Sequence, residues 1–175
     1  LVALRFRRHM LAGVDIARSV GGAGTWVEAA YTVPVDDAPD YARVSAGADY
    51  SPLPAVYAFG EYHFNTAGAT AVDGYAALGS TPAYVDGASY LLGRRYAAVG
   101  LSAEAGPLAA AGVQVLVNLT DGSTLLAPTV EFSFAEDVYL SGGAFVSVLT
   151  GSDASTPREF AAYPDMLHGA IRLYF

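Results

Sequence analysis

The sequence predicts an all-β protein: an antiparallel up-and-down transmembrane β-barrel, with about ten strands in this chain, forming a single domain over residues 1–175. Three observations carry the prediction. Hydrophobic residues make up 53% of the chain and charged residues 15%, against roughly 25% charged in soluble domains, so an apolar phase must receive part of the surface. No run of about 18 apolar residues, the length a membrane helix needs, occurs. The apolar residues are spread over short segments alternating with polar ones, the pattern of strands with one lipid-facing and one lumen-facing side. Connections also alternate between tight and long, as in barrels with short turns at one rim and long loops at the other. The 12 Tyr and 8 Phe suit aromatic girdles at two interfaces, with a β-sandwich core as the competing use.

The first strand covers Leu1 to Arg8, with Val2, Leu4 and Phe6 opposite Arg5 and Arg7. The second covers Leu11 to Val20, where Ala12, Val14 and Ile16 alternate with Gly13, Asp15 and Ala17. The glycine-rich run from Gly21 to Gly24 tolerates positive φ and supplies the turn. The third strand, Thr25 to Val33, sets Val27, Ala29 and Tyr31 against Trp26, Glu28 and Ala30, and Pro34 to Asp40 is a polar loop. The fourth, Tyr41 to Tyr50, places Ala42, Val44 and Ala46 opposite Arg43, Ser45 and Asp49, ending in a tight turn at Ser51 to Pro54. The fifth, Ala55 to Asn65, carries Val56, Ala58 and Tyr62 on one side and Phe59, Glu61 and His63 on the other. Thr66 to Arg95 is the longest connection, unusual in a compact soluble domain unless functional but ordinary at the outer rim of a barrel.

The sixth strand, Tyr96 to Ala105, alternates Val99 and Leu101 with Gly100, Ser102 and Glu104, and breaks at Gly106-Pro107. The seventh, Leu108 to Leu119, presents Val113, Val115 and Val117 on one side and Gln114 and Asn118 on the other. Asp121-Gly122 then favours a type I′ hairpin turn. The eighth strand, Thr124 to Phe134, contains Pro128, which lacks a ladder donor and predicts a bulge or a missing bond. Ala135 to Asp137 turns into the ninth, Val138 to Val148, and the loop from Leu149 to Met166 returns to the last strand, Leu167 to Phe175.

That last segment, LHGAIRLYF, ends the chain on a phenylalanine. It resembles the C-terminal assembly signal of bacterial outer-membrane β-barrel proteins, in which a polar residue, a glycine and hydrophobic or aromatic residues recur at fixed spacing up to a terminal Phe. His168, Leu173 and Phe175 fit, and Ala170 stands where glycine is usual. The segments GVDIARSVGGAGTWVEAAYT, YLLGRRYAAVGLSAEAGPL and VLVNLTDGSTLLAPTVEFSFAEDVYLSGGAF also resemble the C-terminal half of longer porin-like outer-membrane barrels from GC-rich Gram-negative bacteria. The resemblance implies insertion by the barrel-assembly machinery, a setting of outer-membrane lipid and lipopolysaccharide, and a chain that lacks upstream strands. It is compatible with a homo-oligomer. No signal peptide is visible and Leu1 opens within a strand, so the expectation is of an N-terminally truncated barrel.

By alternation the lumen-facing set includes Asp15, Glu28, Arg43, Asp49, Glu61, His63, Glu104, Gln114, Glu131 and Arg172. From Arg43 to Arg172 these are expected to line a pore, or, in a closed lumen, to form ion-paired filling. Their acidic excess biases a pore towards cations. Glu61 and His63 suit an acid–base pair, with Ser102 or Ser133 as a nucleophile in an outer-membrane lipid-modifying enzyme, but no spacing supports that trio and no catalytic site is assigned. Arg94-Arg95 suits bidentate phosphate contacts with lipopolysaccharide, but a solvated or interfacial arginine pair is the favoured reading. Asp36, Asp37, Asp40, Asp73, Asp86 and Asp153 fall in expected outer loops without an EF-hand spacing, so no metal and no cofactor are assigned. A net charge of −8, with all nine basic residues arginine, argues against nucleic acid as a partner. Absence of cysteine fits both a reducing cytosol and a periplasmic route. The expected function is a porin-like passive channel for small solutes or ions in the bacterial outer membrane. A filled structural or adhesive barrel with partner-binding loops is the alternative.

Overall fold

A computed structural model describes residues 1–35, 37–148 and 158–175. Ten strands form: β1 (Val2–Phe6), β2 (His9–Val20), β3 (Ala23–Pro34), β4 (Tyr41–Leu53), β5 (Val56–Asn65), β6 (Arg95–Glu104), β7 (Ala109–Asn118), β8 (Thr124–Ala135), β9 (Val138–Val148) and β10 (Met166–Leu173). They make one antiparallel up-and-down sheet in chain order. Among the described residues β1 pairs only with β2 and β10 only with β9, so the sheet has two edges and closure into a barrel is not part of it.

Connections segregate by length. At one end of the sheet the turns are 21–22, 54–55, 105–108 and 136–137; at the other lie 7–8, 35–40, 66–94, 119–123 and 149–165. The alternation read from the sequence is therefore present, apart from the two-residue first hairpin at the long-loop end. Gly21 and Gly22 have φ of 59° and 85°, the positive pair that a type I′ turn needs and that glycine adopts without steric cost.

Register puts directly opposed residues on one face. The row Asp15, Glu28, Ser45, His63, Tyr96, Asn118 runs across six strands, and Arg43, Asp49, Glu61, Glu104, Gln114, Glu131 and Arg172 share its side. The reverse side is apolar. From β3 to β10 it carries a single charged residue, Arg95, at the first position of β6. Its aromatics gather towards the strand ends, with Tyr31, Tyr62 and Phe64 near the long loops and Phe132 and Phe134 near the short turns, while Ala, Val and Leu fill the middle.

Among the described residues nothing covers this apolar face. More than a dozen of its large side chains, among them Ile16, Val27, Val99, Leu101, Val130 and Ile171, are exposed. Burying a Val, Leu or Ile completely contributes about 1.5–3 kcal/mol, so half-exposure forgoes on the order of 1 kcal/mol per residue. Summed over the face, that rivals the roughly 5–15 kcal/mol net stability of a domain. A contiguous apolar face of this size marks a surface that meets another apolar surface or phase. The buried hydrophobic residues lie elsewhere: Tyr41, Tyr75, Leu78, Ala83, Tyr96 and Phe160 all sit at the long-loop end.

Three local expectations are corrected, and a fourth, at Pro128, is narrowed. The first turn is at Arg7-Arg8, with Arg7 at φ 51°, so His9 and Met10 belong to β2 and not to a loop. The shift sets Val2, Leu4 and Phe6 opposite Gly13, Leu11 and His9 on the polar face, leaving Arg5 on the apolar side; β1 thus has inverted polarity relative to its neighbours. β4 continues through an irregularity after Tyr50 to Leu53, and its turn contracts to Pro54-Ala55. At Pro128, of the two outcomes expected, the missing bond is the one found: the ladder to β9 has a gap and resumes at Thr129↔Gly143 in unchanged register. A bulge falls further along, at Ser133/Ala135. At Asp121-Gly122 only the glycine has positive φ, which rules out type I′. The Asp121 carboxylate is engaged by the Ser123 N–H at 2.7 Å, an Asx-type contact that holds a wider turn.

Candidate functional site: the polar face and its loop cover

The polar face is closed over at the long-loop end by two connections. The segment 66–94 carries a 3₁₀ turn at Val72–Gly74 and two single-turn helices, α1 (Tyr75–Leu78) and α2 (Pro82–Val85). It reaches from β5 back to the first hairpin. There the Asp86 carboxylate accepts Arg8 Nε at 2.6 Å, meets His9 Nε2 at 3.0 Å and lies 3.7 Å from Arg7 Nη1. His9 is 2% exposed and packs edge-on against Tyr41. These contacts, led by the Arg8 hydrogen bond and opposed by partial burial, hold the Asp86 carboxyl below its usual range. Along the way Arg43 Nη1 donates to the Ala88 carbonyl at 3.2 Å, and Asn65 Nδ2 to Ser89 Oγ at 2.9 Å.

The second connection contributes Glu159 and Phe160. Glu159 is 3% exposed. It accepts the Leu92 N–H at 2.9 Å, Asn118 Nδ2 at 2.6 Å and the Tyr96 hydroxyl. Its own N–H donates to Asp121 Oδ2 at 2.8 Å, which also accepts Tyr75 OH at 3.0 Å. Phe160 packs its ring near Tyr96 and Tyr163. Burial raises the Glu159 carboxyl above its ordinary value, and the donated hydrogen bonds reduce that shift without cancelling it. Burial and the neighbouring Asp121 raise the Tyr75 phenol.

Below this cover the sheet leaves two cavities that share Arg43 and His63. One, about 400 Å³, reaches Asp15, Glu28 and Ser45; the other, about 260 Å³, reaches Glu61, Ser89, Leu91 and Leu116. His63 Nδ1 and Ser45 Oγ share a hydrogen bond at 2.8 Å across the β4–β5 pair. Trp26 Nε1 donates to Glu61 Oε2 at 3.0 Å, and the Trp26 ring lies over Gly47. Asp49 accepts the Gly24 N–H at 3.1 Å and Tyr57 OH at 3.2 Å. Glu131 is ion-paired with Arg172. Glu104 faces Ala110, and Gln114 faces Gly100.

The residues expected to line a lumen therefore do share one side of the sheet, although the structure does not join β1 to β10 around them. The serine beside His63 is Ser45, not Ser102, which faces Tyr57, or Ser133, which faces Tyr139. His168 faces Gly143 and stacks near Phe145, while Leu173 and Phe175 are exposed. Of the loop aspartates, Asp40 accepts Tyr31 OH at 2.7 Å, Asp73 lies in the 3₁₀ turn, Asp86 meets Arg8 and His9, and Asp36 and Asp153 lie outside the described residues. Among the described residues no group of three acidic or histidine side chains is arranged to hold a metal. Arg94 is turned into the loop, donating to the Gly68 and Thr66 carbonyls at 3.1 Å each, whereas Arg95 is exposed. Alternation alone missed Glu159 and the Arg8–His9–Asp86 cluster.

No protein-family model matches the sequence, and no curated protein and no solved structure matches it.

Proposed function

We propose that this chain is the membrane-spanning part of a bacterial outer-membrane β-barrel that acts as a porin-like passive channel for small solutes or ions. The observation that carries the reading is the asymmetry of the two sheet faces from β3 to β10: one charged residue on the apolar side and nine polar or charged candidates on the other. Lipid is the phase that covers such a face without a specific partner. Segregated turns and long loops fit the two sides of a membrane, and the two sheet edges are then taken up by further strands or by each other. The C-terminal strand would be recognised by the insertion machinery.

Planar-bilayer recording tests the channel. Cation-preferring conductance is expected, and replacing Glu61, Glu104 and Glu131 together by Gln should shift the reversal potential under a salt gradient towards zero. Because Arg172 already neutralises Glu131, Glu61 and Glu104 should account for most of that shift. Inserted protein that never conducts would contradict the reading. A specific observation favours a second one, the filled barrel: the covers formed by segments 66–94 and 158–163 pack on the polar face. Non-conducting, correctly inserted protein is its signature.

A further inference from the structure

We propose that the cavity between Arg43 and Glu61 is a binding subsite for a small zwitterion, one carboxylate and one ammonium group on a short apolar body, such as a branched-chain α-amino acid. This rests on the channel reading for its setting in a lumen and adds the class of solute.

Arg43 and Glu61 stand on adjacent strands of the same face. Glu61 faces Gly47, four positions along β4 from Arg43, so their backbones are about 13 Å apart at roughly 3.3 Å per residue, with the Ser45–His63 pair between. Long side chains of opposite charge at that spacing can lean together and neutralise each other. They do not: the described ion pairs include none between Arg43 and any carboxylate, and none involving Glu61. Each is held apart by a neutral group, Arg43 by the Ala88 carbonyl at 3.2 Å and Glu61 by the Trp26 indole N–H at 3.0 Å. Elsewhere on this face Glu131 and Arg172 do pair, so separation is a feature of this site and not of the face.

Two half-buried, oppositely charged groups kept apart across about 260 Å³ form a fixed dipole. Charges withdrawn from water and left unpaired are costly, and a ligand with the complementary charges offsets that cost at both ends. One N–H of Arg43 is used by Ala88, leaving others for the two-oxygen geometry of a carboxylate. Glu61 retains its second oxygen for an ammonium group. Leu91 and Leu116 line the same cavity and suit a short hydrocarbon branch. An anion alone leaves Glu61 unmatched, and a cation alone leaves Arg43 unmatched.

Isothermal titration of the detergent-solubilised chain with L-leucine, isovalerate and 3-methylbutylamine separates these cases. L-Leucine is expected to bind at least about tenfold more tightly than either singly charged analogue, in keeping with the worth of one charge-assisted hydrogen bond. Arg43→Gln and Glu61→Gln should each remove that advantage; should a variant misfold, the three-solute comparison on the unaltered chain still decides. Isovalerate binding as tightly as leucine would overturn the zwitterion assignment. Protein that conducts but does not bind leucine overturns the subsite and leaves the channel standing. Protein that binds leucine but does not conduct supports the subsite and counts against the channel.

Discussion

Asp86 and His9, 77 positions apart, meet at 3.0 Å and tie the long connection to the first hairpin. Together with Arg8 this contact stretches segment 66–94 over the polar face. Because the Asp86 carboxyl is held below its ordinary value, the stabilisation it contributes is present above the unfolded pKa and is lost as pH falls through the folded one. A nitroxide at Ser80 reads the cover's motion: immobile at neutral pH and more mobile in acid, once the Asp86 carboxylate has taken up its proton. Asp86→Asn should be mobile already at neutral pH. An unchanged line shape in that variant would show that Asp86 does not hold the cover.

Glu159 should respond in the opposite sense. Its carboxyl is raised by burial, so docking is strongest below the unfolded pKa and weakens as pH rises through the folded value. Unfolding by denaturant across that range should show the unaltered protein losing stability relative to Glu159→Gln as pH rises; a constant difference would sink the idea. Glu159→Ala removes an acceptor from Tyr96, Asn118 and the Leu92 N–H at once and should cost about 1–3 kcal/mol.

Gly100 is required by an aromatic ring. A Cβ there would overlap the Phe59 ring, which supplies its three nearest atoms, on the directly opposed residue of β5. Gly100→Ala should destabilise by about 1–3 kcal/mol through overpacking. Adding Phe59→Ala should make Gly100→Ala close to neutral in a double-mutant cycle. Strictly additive effects would mean that the ring is not the obstacle.

Strand order, the polar and apolar sides of β2 to β8 and of β10, and the segregation of loops were legible because a period of two depends only on neighbouring residues. Val113, Val115 and Val117 against Gln114 is the clearest case, and the register upholds it. Where the turn itself decides, alternation says nothing: β1 reads as an ordinary alternating strand, yet the position of Arg7 and Arg8 in its turn sends Val2, Leu4 and Phe6 to the polar side. Pro128 was legible as an interruption because a missing N–H is a local property, but the choice between a bulge and a missing bond was not. The covers were illegible for a different reason. Asp86 meeting Arg8 and His9, and Glu159 meeting Asn118 and Tyr96, are contacts between distant loops, and no spacing along the chain marks them.

The central claim is that one face of the sheet meets lipid and the other meets water. Single cysteines at positions 115 and 114, each carrying an environment-sensitive fluorophore, test it on protein refolded into bilayers. Val115 lies on the apolar face of β7 and Gln114 on the polar face. Quenching by lipids brominated in the acyl chain should be strong at position 115 and weak at 114, with water-soluble iodide giving the reverse. Val115→Arg should accordingly cost about 2–4 kcal/mol, far more than Gln114→Arg. Iodide reaching both positions equally, or acyl-chain quenching confined to position 114, would contradict a membrane-spanning sheet in this orientation.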